Sequence, residues 1–234
     1  MPIYRIADFL WDIESKHELV PRIAAPYLAD AEKADFVIRV SKEALLKARG
    51  ELPTASDGYV ESICTYRALC DIASRHGAML LHSATVKVDG KAYAFSAPSG
   101  TGKSTHIRLW RRFYGERVAI INGDKPLVRE RDGIITAYGT PWCGKEGWNA
   151  NDSAPLAALC FIERAETPSI RPLSAEEAVT RVFGQLLKPT HKEGVTEVLR
   201  LTDILIRSVP LYLLSCDISE AAARLSFETL TGSR

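Results

Sequence analysis

A glycine-rich stretch in the middle of the chain, "AFSAPSGTGKSTHIRLW" at residues 94–110, constrains the fold more than any other segment. An apolar, strand-like run precedes the glycines and an amphipathic, helix-like run follows them. A strand, a glycine loop and a helix in this order place backbone N–H groups and a helix N-terminus around phosphate oxygens. We therefore expect a phosphate-binding loop over residues 97–104. Ala97 stands where the pattern usually has its first glycine, and alanine suits that position if its φ is negative.

The residue types in this loop have separate roles. Gly100 and Gly102 allow the backbone to curl so that consecutive N–H groups point at phosphate. Lys103 is expected to reach the β- and γ-phosphates, Ser104 to bind Mg²⁺ and Thr105 to contact the α-phosphate. The expected nucleotide ligands are Ser99, Gly100, Thr101, Gly102, Lys103, Ser104 and Thr105.

Asp-Gly dipeptides on both sides of the loop predict tight hairpins. One is Asp89-Gly90, inside "MLLHSATVKVDGKAYAFSA", and the other is Asp132-Gly133, inside "LVRERDGIITAYG". Type I′ turns favour this dipeptide. The strand that enters the loop is therefore expected to have an antiparallel partner, whereas ordinary P-loop NTPases have parallel neighbours joined through helices.

The other segments complete a mixed α/β pattern. Half-buried strands are expected in the first 50 residues, and a helix over residues 59–75 is expected to end at Gly77. Ser174 and Glu177 have the spacing of a capping box. Further strands are predicted over "RVAIINGD", "APLAALCFIER" and "PLYLLSC", and further helices over "TEVLRLTDILIRSV" and from about Ser219.

Composition excludes several classes of protein. The 234 residues are 46% hydrophobic and 25% charged, with a formal net charge of +1. This near-neutral balance argues against nucleic-acid binding and against membrane-surface binding. No signal peptide or apolar span is recognised, and the five cysteines form no CxxC pair. We expect a cytoplasmic protein with reduced thiols and no zinc site.

Two further places are candidates for the site. Asp124 ends the strand that follows the loop helix, where a carboxylate can bind the metal or orient an attacking hydroxyl; the alternative is a solvated strand-end aspartate. In "YGTPWCGKEGWNAN", Lys145 is a candidate for neutralising phosphate charge. Trp142 and Trp148 would form an acceptor or base-stacking wall or, equally, anchor a structural loop.

Three pieces of the sequence together resemble the HPr kinase/phosphorylase family and, more distantly, the phosphoenolpyruvate carboxykinases. They are the histidine in "LLHSATV" (His82), the loop "APSGTGKST" and the strand end "IINGDKPLV". The resemblance is clear over residues 79–128 and continues further only as a general pattern of elements.

This resemblance implies a nucleotide-binding fold in which a mixed β-core presents the loop, with Mg-ATP as phosphoryl donor. It implies that Lys103 and Ser104 take the phosphate and metal roles. It also implies that His82 lies close to the γ-phosphate and that Asp124 is the catalytic carboxylate and a metal ligand.

The sequence departs from the family in two respects. Gly123-Asp124 stands where the family usually has two adjacent aspartates, so one carboxylate must serve for two. No segment resembles the family's signature for recognising the HPr protein. The resemblance therefore favours a divergent HPr-kinase-like kinase over a dedicated HPr kinase.

We expect an N-terminal β-rich segment at residues 1–55, packed on a kinase domain at residues 56–234. The main hypothesis is Mg²⁺-dependent transfer of the γ-phosphate of ATP to a hydroxyl of a peptide or small molecule. Relatives in the family it resembles often assemble, so a homo-oligomer is one possibility, and the oligomeric state is left open. The alternatives are a nucleotide-binding sensor or scaffold and, lowest, a conventional P-loop ATPase or GTPase. The donor, ATP, GTP or pyrophosphate, and the acceptor are left open.

Overall fold

Groups of strands and helices follow one another along the chain in the computed structural model, which describes residues 2–233. The strands are β1 (Ile3–Ile6), β2 (Phe9–Ile13), β3 (Leu28–Ala29), β4 (Phe36–Ile38), β5 (Ala78–Leu80), β6 (Ser83–Val88), β7 (Lys91–Ser96), β8 (Val118–Asn122), β9 (Leu127–Arg131), β10 (Ile134–Tyr138), β11 (Ser153–Arg164), β12 (Ser169–Pro172) and β13 (Leu211–Cys216). The helices are α1 (Leu19–Ala24), α2 (Lys42–Glu51), α3 (Asp57–Ser74), α4 (Lys103–Tyr114), α5 (Ala175–Phe183), α6 (Lys192–Ser208) and α7 (Glu220–Thr231).

The main sheet mixes parallel and antiparallel strands. Its order is β5-β9-β10-β11-β7-β6-β8, and it branches at the long strand β11, where β13 pairs in parallel and β12 follows β13. Strand β7 lies between an antiparallel neighbour, β6, and a parallel neighbour, β11. The expected mixed α/β fold with a β-rich N-terminal part is confirmed.

Both predicted Asp-Gly hairpins are present. The φ angles are 49° at Asp89 and 78° at Gly90, and they are 53° at Asp132 and 79° at Gly133. Positive φ at both central residues is the mark of a type I′ turn, whose twist matches that of the strands it joins. The first turn joins β6 to β7 and therefore places an antiparallel strand beside the loop strand, as predicted.

The direction of the strands gathers several chain segments at one edge of this sheet. Strands β7, β11 and β13 are mutually parallel, and β8 runs the same way because both β7 and β8 are antiparallel to β6. The carboxyl ends of all four strands therefore lie at the same edge, which is where open α/β sheets bind their ligands.

A second, four-stranded sheet forms from the first 38 residues, in the order β3-β1-β2-β4. Its inner face packs on α3, with Trp11 and Tyr27 fully buried beside Leu69 and Ala73. The division of the chain at residue 55 stays a prediction.

Helices α3 to α7 lie where the sequence predicts helices, whereas α1 and α2 lie in the part of the chain where only strands were expected. Ser174 and Glu177 form the expected capping box at the start of α5. Helical spacing places Phe113 of α4 on the same face as Ile107 and Trp110, which are buried, but Phe113 is 36% exposed. It lies at the flank of the helix, where the Arg112 guanidinium lies over its ring. Among residues 2–233, no helix combines the length and apolar character needed to cross a membrane.

His106 is the buried histidine of α4. Its ring lies 4.8 Å from that of Phe95, and its Nε2 is 2.9 Å from Ser226 Oγ. Burial lowers the pKa of this imidazole from 6.5 to about 4, because the charged form loses its hydration. The folded protein therefore holds His106 neutral.

This burial predicts a loss of stability in mild acid. The unfolded chain protonates this imidazole near its ordinary pKa of 6.5, whereas the folded chain does so only near 4. The free energy of unfolding should therefore fall by about 2 kcal/mol between pH 7 and pH 5 through this one group. Urea unfolding of the wild type and of His106→Gln, which carries no titratable group, measures it. An equal loss in both proteins would contradict the assignment.

Candidate functional site

The glycine loop lies between the end of β7 and the start of α4, as the sequence predicts. The φ angles of Gly100 and Gly102 are 79° and 127°, a region that side chains disfavour. A Cβ at either position would meet no other atom within 4 Å, so backbone conformation and not space requires glycine. No side chain caps the N-terminus of α4, and its first N–H groups remain directed towards the loop.

Lys103 folds back across this loop. Its Nζ donates a hydrogen bond to the carbonyl oxygen of Ala97 at 2.9 Å, and the residue is only 7% exposed. Burial lowers the pKa of the ammonium, and the charge of Asp124 partly offsets that effect. Ser104 and Thr105 follow half-buried in the first turn of α4, while Ser99 is exposed at the top of the loop. The seven predicted nucleotide ligands, residues 99–105, thus lie together in the loop and the first turn of α4.

Asp124 lies just beyond β8 and is fixed there by a buried asparagine. The side-chain oxygen of Asn122 accepts hydrogen bonds from the backbone N–H groups of Asp124 at 2.9 Å and of Lys125 at 2.7 Å. This is an Asx turn, a common use of asparagine at the end of a strand. The turn directs the Asp124 carboxylate towards the sheet edge that carries the loop.

His82 and Lys125 hold the two oxygens of the Asp124 carboxylate. His82 Nε2 lies 3.1 Å from Oδ1, and Lys125 Nζ lies 2.6 Å from Oδ2. Burial opposes ionisation of Asp124, but these two hydrogen bonds and the Lys125 charge outweigh it and lower the pKa. The carboxylate is therefore ionised at neutral pH. His82 and Asp124, two site residues predicted separately from the sequence, are in direct contact.

The structure brings four further residues to the site that the sequence reasoning missed. Gln185 Oε1 lies 3.0 Å from His82 Nδ1, and Arg164 Nη2 donates to the carbonyl oxygen of Gly100 at 2.7 Å. The other two missed residues are Lys125 and Asn122, which contact Asp124. Asn122 could have been found from the sequence, because "NGD" is typical of a turn. Gln185 and Arg164 carry no signal of their own and reach the site only through the packing of α5 and β11.

A cavity of about 620 Å³ opens beside the loop on the α4 side. Its volume is in the range of small-molecule sites. The walls combine the loop and α4 with the carboxyl ends of β11 and β13; they include Gly100, Thr101, Thr105, Leu109, Ile162, Arg164, Cys216, Asp217 and Ile218. A nucleoside attached to phosphates on the loop has space here.

Comparison with known proteins places the chain in a family. The family model described as "SynChlorMet cassette protein ScmC" matches residues 52–222, which is well over half of the chain. The chain belongs to the ScmC family. No curated protein matches its sequence.

The chain is also similar to a solved structure, the Hpr(Ser) kinase/phosphatase from Coxiella burnetii. The identity is 9% and the TM-score 0.39, over 65% of this chain and 97% of that chain. This likeness in fold is the support that the comparisons give to the resemblance to the HPr kinase/phosphorylase family. A likeness of this degree gives no basis for transferring an activity to the ScmC-family chain.

The tryptophan-containing segment after β10 packs against the site. Trp142 is buried, donates from Nε1 to Ser62 Oγ at 3.0 Å and lies 5.5 Å from the Tyr66 ring. For Trp142 the structural alternative is confirmed. Trp148 is half-buried beneath the guanidinium of Arg108, and Arg108 Cζ lies 5.3 Å from the centroid of the Trp148 ring.

Lys145 lies in the same segment and is exposed. Within residues 2–233 it forms no ion pair or hydrogen bond, so its charge is uncommitted. The preceding residue, Gly144, touches the site: a Cβ added there would lie 3.0 Å from Asp124 Cβ. The role of Lys145 stays a prediction.

Gly123 explains why one aspartate is present and not two. A Cβ at this position would lie 2.9 Å from the carbonyl oxygen of Cys143 and 3.4 Å from that of Trp148, and its own N–H donates to the latter at 2.8 Å. A second aspartate at position 123 would displace this backbone. The departure from the two-aspartate pattern is therefore coupled to the close packing of the tryptophan-containing segment.

We predict that Gly123→Ala destabilises the protein. The added methyl group must push backbone aside, which costs about 1–3 kcal/mol in well-packed sites. Gly50→Ala is the matched control, since position 50 is helical with open space around it and should gain up to about 1 kcal/mol. Urea unfolding of the two variants should give shifts of opposite sign, and a Gly123→Ala protein as stable as the wild type would contradict the packing described.

Proposed function

We propose that this protein is a Mg²⁺-dependent kinase that transfers the γ-phosphate of ATP to a hydroxyl group. One observation carries the proposal: an ionised carboxylate, Asp124, is held by His82 and Lys125 at the same sheet edge as a glycine loop bearing the buried Lys103. A phosphate-binding loop alone is compatible with many activities. A fixed carboxylate beside it adds a group that can orient an acceptor.

Phosphate binding is assigned to the loop and the first turn of α4. The uncapped N–H groups of this turn and the positive end of the helix favour an anion. Lys103 would exchange its bond to the Ala97 carbonyl for a stronger, charge-assisted bond to the β- and γ-phosphates. Arg164 braces the loop through the Gly100 carbonyl.

Mg²⁺ fits the donors available. Ser104 and the ionised Asp124 are hard oxygen ligands, and Mg²⁺ is usually held by one or two protein groups together with phosphates and water. Among the described residues no group of three or more His, Cys, Asp or Glu side chains is arranged to hold a metal ion. When bound, the ion would neutralise charge on the β- and γ-phosphates.

In the transfer, the acceptor oxygen forms a bond to the γ-phosphorus while the bond to the β–γ bridging oxygen breaks and ADP leaves. Asp124 accepts a hydrogen bond from the acceptor hydroxyl and takes its proton as the new bond forms. The lowered pKa makes this carboxylate a weak base, so orienting the hydroxyl is its main contribution. Lys103 and the exposed Lys145 stabilise the charge on the moving phosphoryl group.

A second candidate function is a sensor or scaffold that binds nucleotide without transferring phosphate. The ion pair between Asp124 and Lys125 favours it, because both carboxylate oxygens already have partners. Incubation with γ-labelled ATP and hydroxyl acceptors separates the two functions: label appears on an acceptor only if the chain is a kinase.

Two substitutions should separate binding from chemistry. Lys103→Ala should weaken ATP binding at least about tenfold, because a charge-assisted contact is lost. Asp124→Asn should retain ATP binding and lower kcat by about 10²–10⁴. Lys91→Ala and Asp132→Asn, both at exposed hairpin positions, are the matched controls. ATP titration and transfer from γ-labelled ATP to serine peptides and small hydroxy compounds measure these effects. Wild-type transfer by both site variants would exclude the mechanism.

A further inference from the structure

A second cavity begins at the residues that hold Asp124. Its volume is about 400 Å³, and both His82 and Lys125 line it. Tyr66 and Arg67 of α3 and the segment at residues 184–187 also line it. The Lys125 ammonium lies 5.7 Å from the Tyr66 ring centroid. An acceptor in this cavity would contact His82 and Lys125, the two residues that hold the Asp124 carboxylate.

A neighbouring cavity of about 230 Å³ shares Arg67 and Leu187 with this one in its walls. The outer cavity lies between α2, α3 and the residues that follow Leu187, and Lys47 and Lys188 line it. We call the two cavities together the acceptor groove. It extends from His82 and Lys125, which hold the Asp124 carboxylate, to the exposed Lys47 and Lys188.

The acidic side chains of the acceptor groove already have partners. Glu51 Oε2 pairs with Arg67 at 2.7 Å. Asp71 accepts hydrogen bonds from the backbone N–H of Thr190 at 2.8 Å and from its hydroxyl at 2.9 Å, and lies 3.2 Å from His191 Nε2. Neither carboxylate offers a free charge to a ligand.

The lysines at the outer end are uncommitted. Lys47 and Lys188 are both exposed, and neither forms an ion pair with any residue in the range 2–233. The outer end of the groove is therefore positive, and the middle is lined by Tyr66 and Leu187. A free hydroxy acid or amino acid held at Asp124 would place its carboxylate near Lys125 and leave the outer lysines unused.

We infer that the acceptor is a hydroxyl-bearing peptide with acidic residues on one side of the phosphorylated serine or threonine. The hydroxyl lies at Asp124, the neighbouring residues cross the wall formed by Tyr66 and Leu187, and the acidic residues bind Lys47 and Lys188. Complementary charge selects the partner and its register, as at other charged interfaces. This inference rests on the proposed kinase function.

The test is phosphorylation of a degenerate serine peptide library by the full-length protein with γ-labelled ATP. One position of the library is fixed at a time. Wild-type protein should select Asp and Glu at one or more positions on one side of the serine. The double charge reversal Lys47→Glu/Lys188→Glu should shift that selection to Lys and Arg and raise KM for an acidic serine peptide by about tenfold or more. Lys42→Glu, on the exposed start of α2, is the matched control and should select as the wild type does.

Other outcomes would overturn the inference. They are equal use of acidic and basic peptides, a selection that the double reversal leaves unchanged, and transfer to free L-serine or small hydroxy acids but to no peptide. ATP titration of each protein separates this result from a failure of the proposed function. A wild type that binds ATP through Lys103 and phosphorylates only small acceptors retains the kinase function and loses the peptide. A protein that binds ATP and transfers no label to any acceptor loses both.

Discussion

The side chain of Asn122 is the interaction on which the rest of the site depends. It is fully buried, and its oxygen holds the backbone of Asp124 and Lys125 while its amide donates to the carbonyl oxygen of Thr140 at 3.0 Å. One side chain therefore sets both the turn that presents the carboxylate and the start of the tryptophan-containing segment that covers it. Because all polar groups of this buried amide are hydrogen-bonded, its orientation is fixed. Loss of any partner would leave a buried polar group without a hydrogen bond.

The sequence predicted the fold well wherever a local signal is strong. The Asp-Gly turns, the capping box at Ser174 and the glycine loop each depend on backbone preferences of a few residues, and these survive any tertiary context. Phe113 shows the limit of this reasoning. Helical periodicity gave its approximate direction but not the edge of the buried face, which depends on what packs against α4.

The candidate site was predictable only in part for a similar reason. Loop residues such as Lys103 and strand ends such as Asp124 lie on elements whose direction the sequence reveals. Gln185 and Arg164 reach the same place through strand order and through the path of the chain after α5, and these depend on contacts between residues far apart in sequence. The close approach of Cys143 to Gly123 is likewise invisible until the backbone is folded.

The bond from Lys103 to Ala97 has a consequence for the energetics of ligand binding. Lys103 Nζ bonds to the Ala97 carbonyl oxygen across the loop. The conformational entropy of this turn is therefore lost on folding and not on ligand binding. In the proposed binding of a phosphate, Lys103 would exchange a neutral acceptor for an ionised one, and no mobile loop would have to be ordered. The loop is preorganised, so the proposed recognition of an anion would depend on the difference between two hydrogen bonds made by one lysine.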